Sequence, residues 1–190
     1  MTTQAPHDVP DGATAAGDGI ALGRGPVTVD AYIDFLCPYC REFELEAAPT
    51  LNAMVAQGAV TLVYHPMSFL DAASTTRYST RAAAAAGCAA GGGRFADYTA
   101  ALFTHQPREG GPGLADDELI RLGLSIGLTD EAFGACVRAG RYLDWPPYVT
   151  EQATGHGVSA TPTVLVDGAE VDPEPRIIAD AAGVPEAGRG

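Results

Sequence analysis

Two cysteines, Cys37 and Cys40 in the run Cys37-Pro38-Tyr39-Cys40, carry the clearest chemistry in this chain. At that spacing they can close a disulfide on each other. They follow an apolar, β-prone run from Val27 to Phe35 and precede a helical pattern from Arg41 to Gln57. A C-x-x-C at a strand-to-helix junction reads as a redox dithiol. Cys37 then stands at a helix N-terminus, where unpaired backbone N–H groups favour an anion. That environment lowers a thiol pKa toward the thiolate, the form that attacks a disulfide. Cys37 is therefore expected to be the more exposed sulfur, and Cys40 the deeper one, on the side of Phe43. Pro38 suits the first helical position, where its fixed φ helps and its missing N–H costs nothing. Two other uses of the pair stand beside this one. Half of a zinc site would need further ligands, but Cys88 and Cys136 are isolated and no H-x₃₋₅-H follows. A purely structural disulfide is the other.

The remaining reactive side chains are scattered. Cys88 and Cys136 both fall on apolar helical faces, where free buried thiols are common. His65, in Tyr64-His65-Pro66, follows a strand; it either approaches the dithiol or, as expected here, sits at the surface or caps a turn. His7 lies near the start of the chain, and His105 and His156 stand at helix ends, where a cation suits the dipole. There is no nucleophile–His–acid triad, phosphate loop or dinucleotide fingerprint. No cofactor and no metal is expected.

The elements that must position these residues can be read in order. Residues 1–18 are rich in Thr, Ala, Gly, Pro and Asp and read as a disordered lead-in. Residues 19–23 read as a short edge strand. In the helix after the dithiol, Cys40, Phe43, Ala47, Leu51 and Met54 share one face. Glu42, Glu44 and Glu46 fall off that stripe, and Pro49 should kink the helix. Val60 to Tyr64 is a second strand, giving a β-α-β unit with parallel strands. From about residue 73 to 155 the pattern is helical throughout. Thr129 is an expected N-cap, and Pro146 and Pro147 open the last helix of this block. Strands return at Thr163 to Val166, turn at Asp167-Gly168, run back over residues 169–172, and end in a short helix from Pro175.

The chain has 190 residues, 46% hydrophobic, with a net charge of −13 and a pI of about 4.4. One domain with an insertion is the expectation. That charge makes nucleic acid and anionic membranes poor partners. No apolar run is long enough to span a membrane, and residues 1–19 lack the basic and apolar regions of a signal peptide. A complete chain of this kind is expected in the cytoplasm, and one whose leader was removed in the cell envelope or outside the cell.

The layout β-α-β, helical block, β-β-α resembles the thioredoxin fold, and the helical block resembles that of the DsbA-like thiol–disulfide oxidoreductases. Its carriers are Asp34-Phe35-Leu36-Cys37-Pro38-Tyr39-Cys40 and Gly157-Val158-Ser159-Ala160-Thr161-Pro162-Thr163. The resemblance implies an α/β thioredoxin fold made from residues 19–68 and 157–185, with a helical insertion over residues 69–156. It implies Cys37 as nucleophile and Cys40 as resolving cysteine. Pro162 matches the cis-proline that faces the dithiol, and Thr161 before it is placed to pair with an extended substrate segment. Pro38, Tyr39, Thr161 and Pro162 are thus the expected substrate-binding residues. Cys88 and Cys136 resemble a second, non-catalytic disulfide of some members. Closing that 48-residue loop would give about 4 kcal/mol on the chain-entropy model. One position departs from the wider pattern: Ala31 stands where many thioredoxin-fold proteins carry a buried acid. Asp34, nearer the dithiol, either serves differently or is solvated.

The expected activity is disulfide exchange with protein thiols and disulfides, by a monomer, together with an unidentified redox partner. A cytosolic dithiol reductase or glutathione-linked enzyme of the same fold is one alternative. A binding or chaperone-like module with structural cysteines is another.

Overall fold

The computed structural model describes residues 5–184. The first four residues of the lead-in and the boundary expected at residue 185 lie outside the described residues. Five strands form one sheet in the order β1-β3-β2-β4-β5. They are β1 (Ile20–Leu22), β2 (Val27–Ile33), β3 (Val60–Pro66), β4 (Thr163–Val166) and β5 (Ala169–Val171). The alternation of β-branched and aromatic residues makes β2 and β3 the central pair, joined in parallel with Val27 opposite Val60 and Ile33 opposite Pro66. Parallel pairing requires a crossover, and α1 (Pro38–Ala56) supplies it. β4 enters on the other side of β2, antiparallel, with Val29 opposite Val166 and Tyr32 opposite Thr163. Chain segments more than a hundred residues apart thus meet beside the dithiol.

The β4–β5 hairpin turns at Asp167 and Gly168, both at positive φ, 48° and 81°. That is the geometry of a two-residue primed turn. The Asp167 carboxylate also accepts the Thr28 N–H at 2.8 Å, which ties the turn to β2. α7 (Pro175–Ala181) packs on α1 and β5.

Between the two halves of the sheet lie α2 (Tyr78–Gly91), α3 (Phe95–Thr104), α4 (Asp116–Ser125), a π-helical turn over Asp130–Gly134 that runs into α5 (Ala135–Arg138), and α6 (Trp145–Gly155). Thr129 caps that turn, its hydroxyl accepting the Ala132 N–H. α2 is the axis of this block: eleven of its residues are buried. Its run of alanines lets α3, α4, α5 and α6 approach closely. Large side chains fill the spaces left, with Tyr78, Tyr98, Phe103 and Trp145 all fully buried. No described helix is long and apolar enough to cross a membrane.

The expectation of a disordered lead-in fails for residues 5–18. Trp145 donates its indole N–H to the Gly17 carbonyl at 2.8 Å, and Tyr148 its hydroxyl to the Ala16 carbonyl at 2.8 Å. His7 pairs with Asp144 and Asp8 with Arg141. Ala13 bridges to Ile20 at the sheet edge. The composition is poor in apolar residues, so the segment builds no core of its own; donors from α6 and from the residues before it order it instead.

Cys88 in α2 and Cys136 in α5 are joined, with Cα atoms 5.9 Å apart and a sequence separation of 48. Replacing both with Ser should lower the unfolding free energy by about 4 kcal/mol. Denaturant titration reads this directly, and a loss under about 1 kcal/mol would mean the bridge does not constrain the unfolded chain.

Candidate active site around the Cys37–Cys40 dithiol

β2 ends at Ile33, and the turn Asp34-Phe35-Leu36 delivers Cys37 to the start of α1. Cys37 is the N-cap residue, in extended conformation, and Pro38 opens the helix. Cys40 falls on the buried face with Phe43 because three residues is nearly one helical turn. The two thiols are unbridged. Cys37 keeps 5% of its surface exposed and Cys40 none.

Depth and hydrogen bonding separate the two sulfurs. Cys37 is drawn down to about 6. The largest cause is the Cys40 S–H donating to Cys37; the Thr161 side chain and the N–H groups of Cys40 and Tyr39 add to it, and burial opposes them. The helix N-terminus alone was the cause expected from sequence; the deeper thiol contributes more. Cys40 moves the other way, far above the ordinary thiol range, first by burial and then by its bond to Cys37. One sulfur is thus a thiolate at neutral pH and the other a thiol.

The second motif meets the first here. The Thr161–Pro162 bond is cis, and the Cys37 S–H faces the Thr161 carbonyl at 3.3 Å. Tyr39 is 69% exposed beside the dithiol. Cys37, Pro38, Tyr39, Phe69, Leu70, Glu109, Ser159, Ala160 and Thr161 line a groove of about 440 Å³. Cys88 and Cys136 lie away from it, in the helical block.

Asp34 is not solvated: it is fully buried. Its carboxylate accepts the Leu36 N–H at 2.8 Å, the Leu70 N–H at 2.9 Å and the Ser79 hydroxyl at 2.7 Å. Its own N–H donates to Cys40 Sγ at 3.4 Å. Burial pushes its pKa up to about 6 despite the three donors, and the charge on Cys37 raises it further. The carboxyl therefore fixes the turn before Cys37, the groove residue Leu70 and the start of α2 at once.

Three features escaped the sequence reading. Glu44, placed off the apolar stripe, is only 5% exposed and accepts the Tyr64 hydroxyl at 3.0 Å. Burial pushes it up to about 7. Its spacing from Cys40 and from Leu51, one and two turns, was the available signal. Gln106, in the loop after α3, donates to the Phe35 carbonyl at 3.0 Å and the Cys37 carbonyl at 2.9 Å; no periodicity marks it. His65 is neither at the dithiol nor at the surface. It is buried in β3, stacked on Tyr32 at 4.2 Å, and bonded to the Asp18 carbonyl and the Asp30 carboxylate. The strand simply runs two residues further than the apolar pattern suggested. Among the described residues, no three His, Cys, Asp or Glu side chains group as a metal site.

The shifts fix the sign of the pH dependence. Glu44 holds its proton more tightly folded than unfolded, so its contribution to stability is fully present below about 4.5 and is lost as pH rises through about 7. Glu44→Gln should flatten that fall. Cys37 is depressed, so it stabilises the reduced protein above the ordinary thiol pKa of about 9, and this is lost as pH falls through about 6. Reduced protein should therefore gain stability relative to oxidised protein between pH 6 and 9, and ultraviolet thiolate absorbance should titrate near 6. Equal slopes for the two redox forms, or a midpoint near the free-thiol value, would contradict this.

Residues 16–178 match the thioredoxin family. The chain is 35% identical to the reduced disulfide bond oxidoreductase DsbG of Mycobacterium tuberculosis, covering 83% of this chain and 82% of that one, with a TM-score of 0.73. With oxidised DsbA of the same organism the identity is 34%, the coverage 88% and 95%, and the TM-score 0.75. It is also 32% identical over 167 residues to the serine/threonine-protein kinase PknE of M. tuberculosis. That match takes 81% of this chain but spans only 29% of the kinase's length. The fold, the dithiol at its strand-to-helix junction and these identities agree: the chain belongs to the thioredoxin family, as one of its DsbA-like members.

Proposed function

We propose that this protein-disulfide oxidoreductase exchanges disulfides with extended polypeptide segments through Cys37 and Cys40. The observation that carries the reading is the placement of the two free sulfurs, Cys37 at the start of α1 on the groove and Cys40 fully buried beneath it, which draws the first thiol down and pushes the second up. A binding module with structural cysteines has no use for such a split. In exchange, the Cys37 thiolate attacks one sulfur of a substrate disulfide. A Cys37–substrate bond forms, the substrate S–S bond breaks, and the other substrate sulfur leaves as a thiolate. Cys40 then gives its proton to the departed substrate thiolate and attacks Cys37 Sγ. The Cys37–Cys40 bond forms and the second substrate thiolate leaves, so the substrate gains two electrons. Run in reverse, the same steps oxidise a substrate dithiol. The hydrogen bonds that stabilise the Cys37 thiolate lower the reduced form, which favours the oxidising direction.

Pro38, Tyr39, Thr161 and Pro162 form the substrate-binding surface in this reading. Thr161 lies just before β4 with its carbonyl facing Cys37, so an extended substrate segment that reaches the dithiol can pair with its backbone there. Phe69, Leu70 and Ala160 offer apolar contacts in the groove. DsbA and DsbG of M. tuberculosis, the latter named a disulfide bond oxidoreductase, support this reading. The Cys88–Cys136 bridge supports work in an oxidising compartment, the cell envelope or outside the cell, since stable disulfides are rare in the cytoplasm. A separate redox partner would then reset the dithiol of a monomer.

Cys37→Ser should abolish reduction of a disulfide-bonded test protein such as insulin. Cys40→Ser should keep the first attack and accumulate a mixed disulfide visible on non-reducing gels. Full turnover in Cys40→Ser would exclude the assigned roles.

A further inference from the structure

A second groove, of about 470 Å³, opens on the other side of Pro38. Its lining is more polar than that of the first: Arg41, Thr104, Gln106 and Arg108 stand beside Leu36 and Pro107, where the first groove has Phe69, Leu70 and Ala160. Pro38 and Glu109 border both grooves, so the two are continuous across the start of α1. All 11 basic residues of this chain are arginine, in a protein of net charge −13. Five of them, Arg77, Arg81, Arg94, Arg138 and Arg141, are bound to aspartates. Among the described residues, Arg24, Arg41, Arg108 and Arg121 form no ion pair with a carboxylate, and of these Arg41 and Arg108 line the groove beside the dithiol.

Arg41 is also held in place. Its Nε donates to the Phe103 carbonyl at 3.1 Å, at the end of α3. That single bond fixes the plane of the guanidinium and leaves its Nη hydrogens uncommitted, the arrangement that takes a carboxylate. The floor below is rigid, because Gln106 bridges the Phe35 and Cys37 carbonyls. Arg108 adds a second cation from the same loop. Glu109 offsets one of the two charges and leaves the groove net positive.

We infer that this groove is an acidic-residue subsite for the substrate polypeptide: a client segment seats an Asp or Glu side chain, close to its reactive cysteine, against Arg41 and Arg108. The inference rests on the exchange reading above and names the substrate class for it. A segment crossing Pro38 then presents an apolar side chain to the Phe69–Leu70 groove and a carboxylate to the arginine groove. The contact is a charge-assisted hydrogen bond at an exposed surface, so it selects among substrates and is weakened by salt.

The test compares, for each side of a single cysteine held in a mixed disulfide, three peptides of one sequence that carry Glu, Gln or Lys at that place. The rate of attack by reduced Cys37 is measured at low and physiological salt. Wild type should favour the Glu over the Gln peptide by about fivefold in one of the two placements, as expected for two exposed arginines. The ratio should fall toward one in Arg41→Gln/Arg108→Gln and reverse toward the Lys peptide in Arg41→Glu/Arg108→Glu. Arg108→Gln alone, which removes no bond to the fold, should lower the ratio and guards against a folding artefact. Equal rates for Glu and Gln peptides in wild type, or a preference that survives both arginine substitutions, would overturn the subsite and leave the dithiol reading standing. Failure to attack any of the peptides would instead overturn the dithiol reading, and the subsite with it.

Discussion

A single buried carboxyl group holds the active end of this molecule together. Asp34 has no exposed surface, and its two oxygens collect three donors from three places: the turn before Cys37, the groove loop at Leu70, and Ser79 on α2. A buried donor left without its acceptor costs about 1–3 kcal/mol, so the three segments cannot separate cheaply. The same burial that makes these bonds strong also disfavours the charge, and the group sits near pH 6 between its two forms. Its backbone N–H reaches Cys40 Sγ. The turn that carries the dithiol and the groove loop at Leu70 are therefore tied together through one residue.

The dithiol itself works by depth. Cys40 is shut away from water and retains its proton; that proton is then the main donor that stabilises the anion on Cys37. Cys40 owes its raised pKa first to burial, and Cys37 owes its lowered one first to Cys40. The helix start contributes its N–H groups, but the larger share comes from burying one thiol directly beneath the other.

The helical block is part of the site rather than an appendage to it. Ser79 from α2, Gln106 after α3 and the Phe103 carbonyl each bind the dithiol segment or its neighbour Arg41. The Cys88–Cys136 bridge ties α2, which carries Ser79, to α5. The block in turn orders the first described residues through Trp145 and Tyr148.

By itself the sequence determined whatever depends on local spacing. Apolar alternation placed β2 and β3, the three-four spacing from Cys40 to Met54 placed the buried face of α1, and Asp167-Gly168 placed a turn that needs positive φ. The C-x-x-C at the strand end and Thr161-Pro162 before the next strand pointed to one chemistry. Only the tertiary structure decided what depends on partners distant in the chain. Asp34 and Glu44 look like surface acids until Ser79, Leu70 and Tyr64 close over them. Gln106 is an ordinary loop residue until its amide meets the Phe35 and Cys37 carbonyls. His65 pairs with Asp18 and Asp30, and the lead-in is ordered by α6 and its neighbours. Hydrophobic periodicity records which faces leave water, but the pairing of buried polar groups is settled by three-dimensional proximity, which no local pattern encodes.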